Sequence, residues 1–153
     1  MKKVAWILVL ILTAGLSAYA QSLEEQRTIA AKKAVTLGDA VLLFYALNFE
    51  PDPAVDRERA FDRLTSAGII PAEWKSELGG EASLGEVCYM ICTTLKVKGG
   101  LTVRIFGLSR RAAYRECVKA QIVTPSGPHS KVSGKALIGV CGRVEDLLDS
   151  SGG

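Results

Sequence analysis

The feature that most limits the fold of this chain is an internal repeat. Displaced by 53 positions, Ala60–Leu95 lies on Ala113–Leu148 without a gap. Ala60 meets Ala113, Phe61 meets Tyr114, Ala67 meets Ala120 and Ile69 meets Ile122; further on, Leu84 meets Leu137, Val87 meets Val140, Cys88 meets Cys141 and Leu95 meets Leu148. The matches fall at apolar positions, as they must if the two units share one core: a unit this short cannot bury its apolar face alone. A half copy precedes both, with Thr36-Leu37-Gly38-Asp39 matching Ser83-Leu84-Gly85-Glu86 and apolar residues following each.

Each unit reads as helix, loop, helix. The first helix of unit one is expected from Asp52-Pro53, an N-capping residue followed by a proline that the first turn tolerates. Its stripe is Ala60, Phe61, Leu64 and Ala67, and Gly68 supplies a left-handed stop. Ile69-Ile70 turn inward, and Pro71 opens a short turn carrying Trp74. Ser83-x-x-Glu86 is a capping box, followed by Leu84, Val87, Cys88, Ile91, Cys92 and Leu95 on one helical face. Unit two repeats the scheme, with Ser109 as the first cap and Leu137, Val140, Cys141, Val144 and Leu148 after Ser133. The expected fold is all-α, or nearly so: a bundle with a half repeat at 35–48 and full repeats at 53–98 and 107–149. One further helix is expected over Ser22–Lys33, and a short hairpin or irregular connector near 97–106.

Residues 1–20 have the form of a cleavable signal peptide. Lys2 and Lys3 precede the apolar run Val4–Leu12, and Ala18-Tyr19-Ala20 places small residues where a signal peptidase cuts. The run is shorter than the roughly 20 residues that span a bilayer. The expectation is an exported, periplasmic or envelope-associated bacterial protein whose single domain occupies 21–153. That leader holds 2 of the 19 basic residues and none of the 16 acidic ones, leaving 17 against 16, a net charge near +1. Neither charge nor export argues for nucleic acid as a partner.

Charge is uneven, however. Lys96, Lys98, Arg104, Arg110, Arg111 and Arg115 cluster with no acidic residue between Glu86 and Glu116. Such a patch can attract anionic wall polymer, an acidic envelope protein or, peripherally, lipid headgroups; it can equally be a solvated face. Arg143 could extend it.

Four cysteines in an exported chain raise the question of disulfides. Cys88, Cys92, Cys117 and Cys141 all stand on apolar stripes, where Cys also serves as a small buried hydrophobe. Cys88 and Cys92 lie one turn apart with parallel Cβ directions, an awkward geometry for a bridge. A bridge between helices, Cys117 to Cys141 or Cys117 to Cys92, is more plausible. No metal site is expected: the single histidine, His129, lies in a loop away from closely spaced cysteines. No cofactor is implied. Asp39, Glu86, Glu116 and Glu145 are the carboxylates that a small peptidoglycan hydrolase would draw on, but capping already accounts for Asp39 and Glu86, and no catalytic constellation is visible.

Ala67-Gly68-Ile69-Ile70, a loop, and then Ser83-Leu84-Gly85-Glu86 resemble the S-layer homology motif, in which a helix ending in Gly-Ile-Ile leads to a second helix opening with Thr-Arg-Ala-Glu. The resemblance covers most of Val35–Leu148. It implies three modules packed as a helical pseudo-trimer that anchors proteins to secondary cell-wall polymer. The family's polymer-contacting Arg is Leu84 in unit one and Leu37 in the half copy; Ser133-Gly134-Lys135-Ala136 lacks both the Arg and the Glu, and the aromatic residues opening the family's first helix are absent. The expected function is therefore a non-catalytic cell-envelope binding or anchoring module. The alternatives are a scaffolding subunit of an envelope complex and, third, the small hydrolase. The oligomeric state stays open.

Overall fold

The computed structural model describes residues 24, 26–50, 52, 54–97 and 107–151. The expected signal peptide and the connector at 98–106 lie outside these residues. The chain is all-α. A short helical segment at 26–30 precedes α1 (Leu37–Asn48) and α2 (Arg57–Ser66). A 3-10 turn (Ala72–Glu77) leads to α3 (Leu84–Thr94), followed by α4 (Arg110–Lys119) and α5 (Gly134–Ser151). The most extensive packing is α3 on α4, then α1 on α2, with α1 also touching α3 and α5.

The starts of α1, α3 and α5 meet around a ring of three backbone hydrogen bonds. The Val35 N–H donates to the Val132 carbonyl (2.9 Å), the Ala82 N–H to that of Val35 (2.8 Å), and the Val132 N–H to that of Ala82 (3.3 Å). The next layer repeats the relation: the Leu37, Leu84 and Gly134 amides donate to the Gly80, Ser130 and Lys32 carbonyls respectively. Each helix thereby pairs an orphan N-terminal amide with the loop of a neighbour. The capping side chains pair another, with Thr36, Ser83 and Ser133 accepting from the Asp39, Glu86 and Ala136 amides. The half copy and the two units are thus related by a pseudo-three-fold axis.

This ring fixes the register of the repeat. First helices keep the 53-residue offset, Asp56 capping α2 and Ser109 capping α4. Second helices do not: Ser133 answers Ser83, an offset of 50, because the loop of unit two is three residues shorter. A pair of tethers marks the change. The Thr93 hydroxyl donates to the Ile69 carbonyl (2.9 Å), and the Arg143 guanidinium donates to that of Ile122 (2.7 Å). The gapless alignment is therefore corrected beyond the loop: Leu137 answers Val87, and Cys141 answers Ile91 rather than Cys88. Both registers put apolar residues on apolar residues, since a shift of three nearly preserves a helical face.

Two further expectations are corrected. The first helix of unit one begins after Asp56, not at Asp52; Asp52 instead accepts from the Ala54 amide in a preceding turn. Ala67 and Ala120 are exposed C-caps rather than stripe residues. Gly68 does take the left-handed conformation (φ 72°), and Gln121 occupies the same place in unit two at φ 58°.

The core is continuous across the axis. Val35, Leu37, Val41 and Phe44 from the first unit, Ala60, Phe61 and Leu64 from α2, Val87 and Ile91 from α3, and Leu137 and Val144 from α5 are all fully or almost fully buried. Each large side chain so buried contributes about 1.5–3 kcal/mol. This shared burial is what joins units too small to fold alone.

Candidate binding site

The pseudo-three-fold axis creates a junction at the start of each second helix, and the junctions differ in charge. At the start of α1, Asp39 is the third helical residue. One of its oxygens, Oδ2, accepts from the Thr36 amide (2.9 Å), completing the capping box. The same oxygen pairs with Lys32 Nζ (2.7 Å), while Oδ1 accepts from Arg57 Nη2 at the start of α2 (2.8 Å). Asp39 is buried, whereas the Lys32 and Arg57 side chains are 32% and 49% exposed. Burial alone would raise the Asp39 pKa; the hydrogen bonds from Lys32 and Thr36 outweigh it and hold the carboxyl below its ordinary 3.8.

At the start of α3, Glu86 repeats the box with Ser83, its Oε2 accepting from the Ser83 amide (2.7 Å). Its Oε1 pairs with Arg110 Nη1 (3.1 Å). Arg110 opens α4 just as Arg57 opens α2. Here, though, a second carboxylate, Glu77, takes Arg110 Nη2 (2.9 Å), and the guanidinium lies 4.5 Å from the Trp74 ring centroid. Trp74 in turn packs on Tyr89 at 5.1 Å. At the start of α5 the third residue is Ala136, and the Gly134 position faces the backbone of Ile29, leaving no room for a side chain.

Close backbone approach explains the glycines in Leu-Gly-Asp and Leu-Gly-Glu. A Cβ on Gly38 would stand 2.8 Å from Arg57 Cδ and 3.1 Å from the Leu78 carbonyl; on Gly85 it would stand 3.0 Å from the Pro128 carbonyl and 3.2 Å from Arg110 Cβ. The same glycines let their own amides donate to those carbonyls. The four-residue motif therefore reads, in order, as a cap, a core residue, a crossing point for the neighbouring loop, and an acid for the next helix's arginine.

Formal charge separates the two acidic junctions. Lys32, Arg57 and Asp39 sum to +1, whereas Arg110, Glu77 and Glu86 sum to −1. Of the two, the first carries the net positive charge. It also forms part of a cleft of about 240 Å³, lined by Glu24, Thr28, Lys32, Asp39, Leu42 and Arg57, with Glu24 paired to Arg27. This volume is smaller than the roughly 300–1,000 Å³ of sites that enclose drug-sized ligands, so the cleft suits one small group.

The sequence-derived basic patch is divided by the fold. Lys98 and Arg104 lie outside the described residues. Arg110 is bound by Glu77 and Glu86, and Arg143 is tied to the Ile122 carbonyl. Lys96, Arg111 and Arg115 are exposed, the last two one turn apart on α4. Sequence reasoning missed Lys32 and Arg57 as partners of Asp39. The available signal was that Arg57 and Arg110 share the 53-residue offset and both open a first helix.

All four cysteines are buried. Cys117 faces α3, with its sulfur 3.8 Å from that of Cys92 and its thiol directed at the Cys88 carbonyl (3.7 Å). The Cys117–Cys141 alternative is not the pair the fold brings together. Burial and the nearby Glu145 push the Cys141 thiol up to about 12. Among the described residues no group of His, Cys, Asp and Glu could hold a metal ion, and no helix is long and apolar enough to cross a membrane.

No family model, no curated protein and no solved structure matches this chain.

Proposed function

We propose that the chain is an exported, non-catalytic module that binds an anionic component of the cell envelope, and that the Lys32–Asp39–Arg57 cleft receives the anion. The carrying observation is the excess cation at that junction. Asp39 satisfies only part of the donor capacity of Lys32 and Arg57, and both remain partly exposed beside an open cleft. An ammonium offers three donors and a guanidinium five. A single acidic sugar unit, carboxylate or phosphate of a wall polymer can take the remainder. The exposed Arg111 and Arg115 add a weaker attraction elsewhere on the surface.

The resemblance to S-layer homology modules supports this reading through architecture and chemistry together. Three helix starts surround one axis, as that family's pseudo-trimer does. The arginine missing from the second position of the tetrapeptide is replaced in kind by Arg57, which reaches the same helix start from the next helix. The position itself, Leu37, is buried core. A hydrolase is a poorer reading. A general acid needs a raised pKa, whereas Asp39 is lowered and Glu86 is tied to Ser83 and Arg110.

The test is cosedimentation of Gln21–Gly153 with isolated wall sacculi and, separately, with membranes, at low and high salt. The expected result is sacculus binding that salt removes and that Lys32→Gln weakens more than the pair Arg111→Glu and Arg115→Glu. Binding to neither fraction, or binding indifferent to both salt and Lys32, overturns the proposal.

A further inference from the structure

Cys92 and Cys117 belong to different helices, α3 and α4, which form the most extensive helix pairing among the described residues. Both are almost fully buried, and their sulfurs are 3.8 Å apart. Each thiol also meets the backbone of the opposite helix: Cys92 Sγ is 3.7 Å from the Ala113 carbonyl, and Cys117 Sγ is 3.7 Å from that of Cys88. The side chains therefore cross, each pointing into the partner helix, as the two halves of an interhelical bridge must. A disulfide needs a sulfur separation of about 2.05 Å, so forming the bond requires the two sulfurs to close by about 1.8 Å from their present 3.8 Å.

We infer that Cys92 and Cys117 form a disulfide that staples α3 to α4, while Cys88 and Cys141 remain thiols. Cys88, one turn earlier on α3, contributes a carbonyl to Cys117 rather than competing for the bridge. The oxidant is a disulfide reagent, either a thiol–disulfide oxidoreductase or an oxidised small thiol. One cysteine thiolate attacks a sulfur of the reagent and expels the first reagent thiolate. The second cysteine attacks the resulting mixed disulfide at the protein sulfur and expels the other. The two protein sulfurs are oxidised together by two electrons, the reagent disulfide is reduced to two thiols, and the two cysteine protons end on those thiols.

The environment sets when this happens. Hydrogen bonding to Cys117 together with burial pushes the Cys92 thiol well above the ordinary cysteine range, and Cys117 is raised as well, first by its contact with Cys88. Since the thiolate is the nucleophile, the folded dithiol reacts slowly and the bridge forms mainly while α3 and α4 are docking. A cleft of about 260 Å³ borders the pair, lined by Cys92, Val97, Cys117, Ala120 and Ile122 together with the charged Glu116 and Lys119. The inference does not rest on the proposed envelope ligand, and its test uses no envelope material.

The full chain is denatured, reduced and refolded in glutathione buffer with the oxidised form in excess. Free thiols are then alkylated under denaturing conditions and peptides mapped by mass spectrometry. The expected product has lost two hydrogens, carries one Cys92–Cys117 cross-link, and is alkylated at Cys88 and Cys141. The bridge closes a loop spanning 25 residues, so Tm should rise by about 10 °C over the reduced form. Cys117→Val, which places an aliphatic residue where unit one has Leu64, keeps the fold and should abolish the redox-dependent shift. Four alkylatable thiols at redox equilibrium, a cross-link through Cys88 or Cys141, or a shift that survives Cys117→Val would each overturn the inference.

Discussion

Asp39→Asn tests whether the positive junction is built around one ionised carboxylate. Asp39 holds three groups: the Lys32 ammonium, the Arg57 guanidinium and the Thr36 amide. An asparagine can accept through one oxygen only, and its amide nitrogen must then face a cation. Lys32 and Arg57 are partly exposed and regain water when released, so each lost ion pair is discounted to about 0.5–1 kcal/mol. Weakening the reciprocal cap adds about 0.5–1 kcal/mol. The expected loss is therefore about 2 kcal/mol at pH 7, which moves the urea midpoint by roughly 1 M for a domain of this size. Far-UV circular dichroism during urea unfolding reads it directly. The pH dependence sharpens the test. Because the folded-state pKa lies below the ordinary 3.8, the unfolded chain binds more protons between the two values, and stability rises with pH through that window. The contribution is complete above the unfolded pKa and drains away as pH falls through the folded one. The gap between wild type and variant should hold from pH 7 to about pH 5 and narrow steeply below pH 3.8. Loss of less than about 0.5 kcal/mol at pH 7, or a gap unchanged at pH 3, would refute a structural role for the ionised group.

Other positions give independent checks. Gln121 sits at φ 58° where unit one has Gly68, so Gln121→Gly should stabilise by about 0.5–1 kcal/mol in the same denaturation assay, against the usual penalty for glycine. Gly85→Ala forces a Cβ against the Pro128 carbonyl and Arg110 Cβ and should cost about 1–3 kcal/mol; Gly142→Ala, with open space around it, should be neutral or slightly stabilising. Arg110→Lys removes the bidentate link between Glu77 and Glu86 and the stack on Trp74; a loss of about 1–2 kcal/mol and altered tryptophan fluorescence are expected. Cys141, buried and raised to about 12, should react with a maleimide at pH 8 only after denaturation, as mass spectrometry on the native and urea-treated chain will show.

Much of the architecture was legible because its causes are local. Thr36 with Asp39 and Ser83 with Glu86 are capping boxes in the structure as they are in the sequence. Gly68 ends its helix for a reason visible in one residue. The stripes of α2 and α3 are buried where a 3.6-residue period places them, at Ala60, Phe61 and Leu64 and at Val87, Cys88, Ile91 and Cys92. Other expectations failed where two local solutions were equally good. Asp52 and Asp56 are both capable caps, and the fold uses Asp56 for the helix and Asp52 for the turn before it. Offsets of 50 and 53 both superpose apolar faces, and only the hydrogen-bonded ring at Val35, Ala82 and Val132 decided between them.

Helicity, repetition and the positions of the caps follow from local sequence, because propensity, capping and periodicity act within a few residues of one another. The tertiary structure alone decided which charges meet. Lys32, Asp39 and Arg57 form a net positive junction while Arg110, Glu77 and Glu86 form a net negative one, although the paired motifs are almost the same in sequence. The difference rests on Lys32 and Glu77, which lie outside those motifs and arrive only through packing. It also placed Cys117 against Cys92 rather than Cys141. A helix period says which side of a helix is buried, but the neighbour that buries it is chosen by the closing of the three-fold ring.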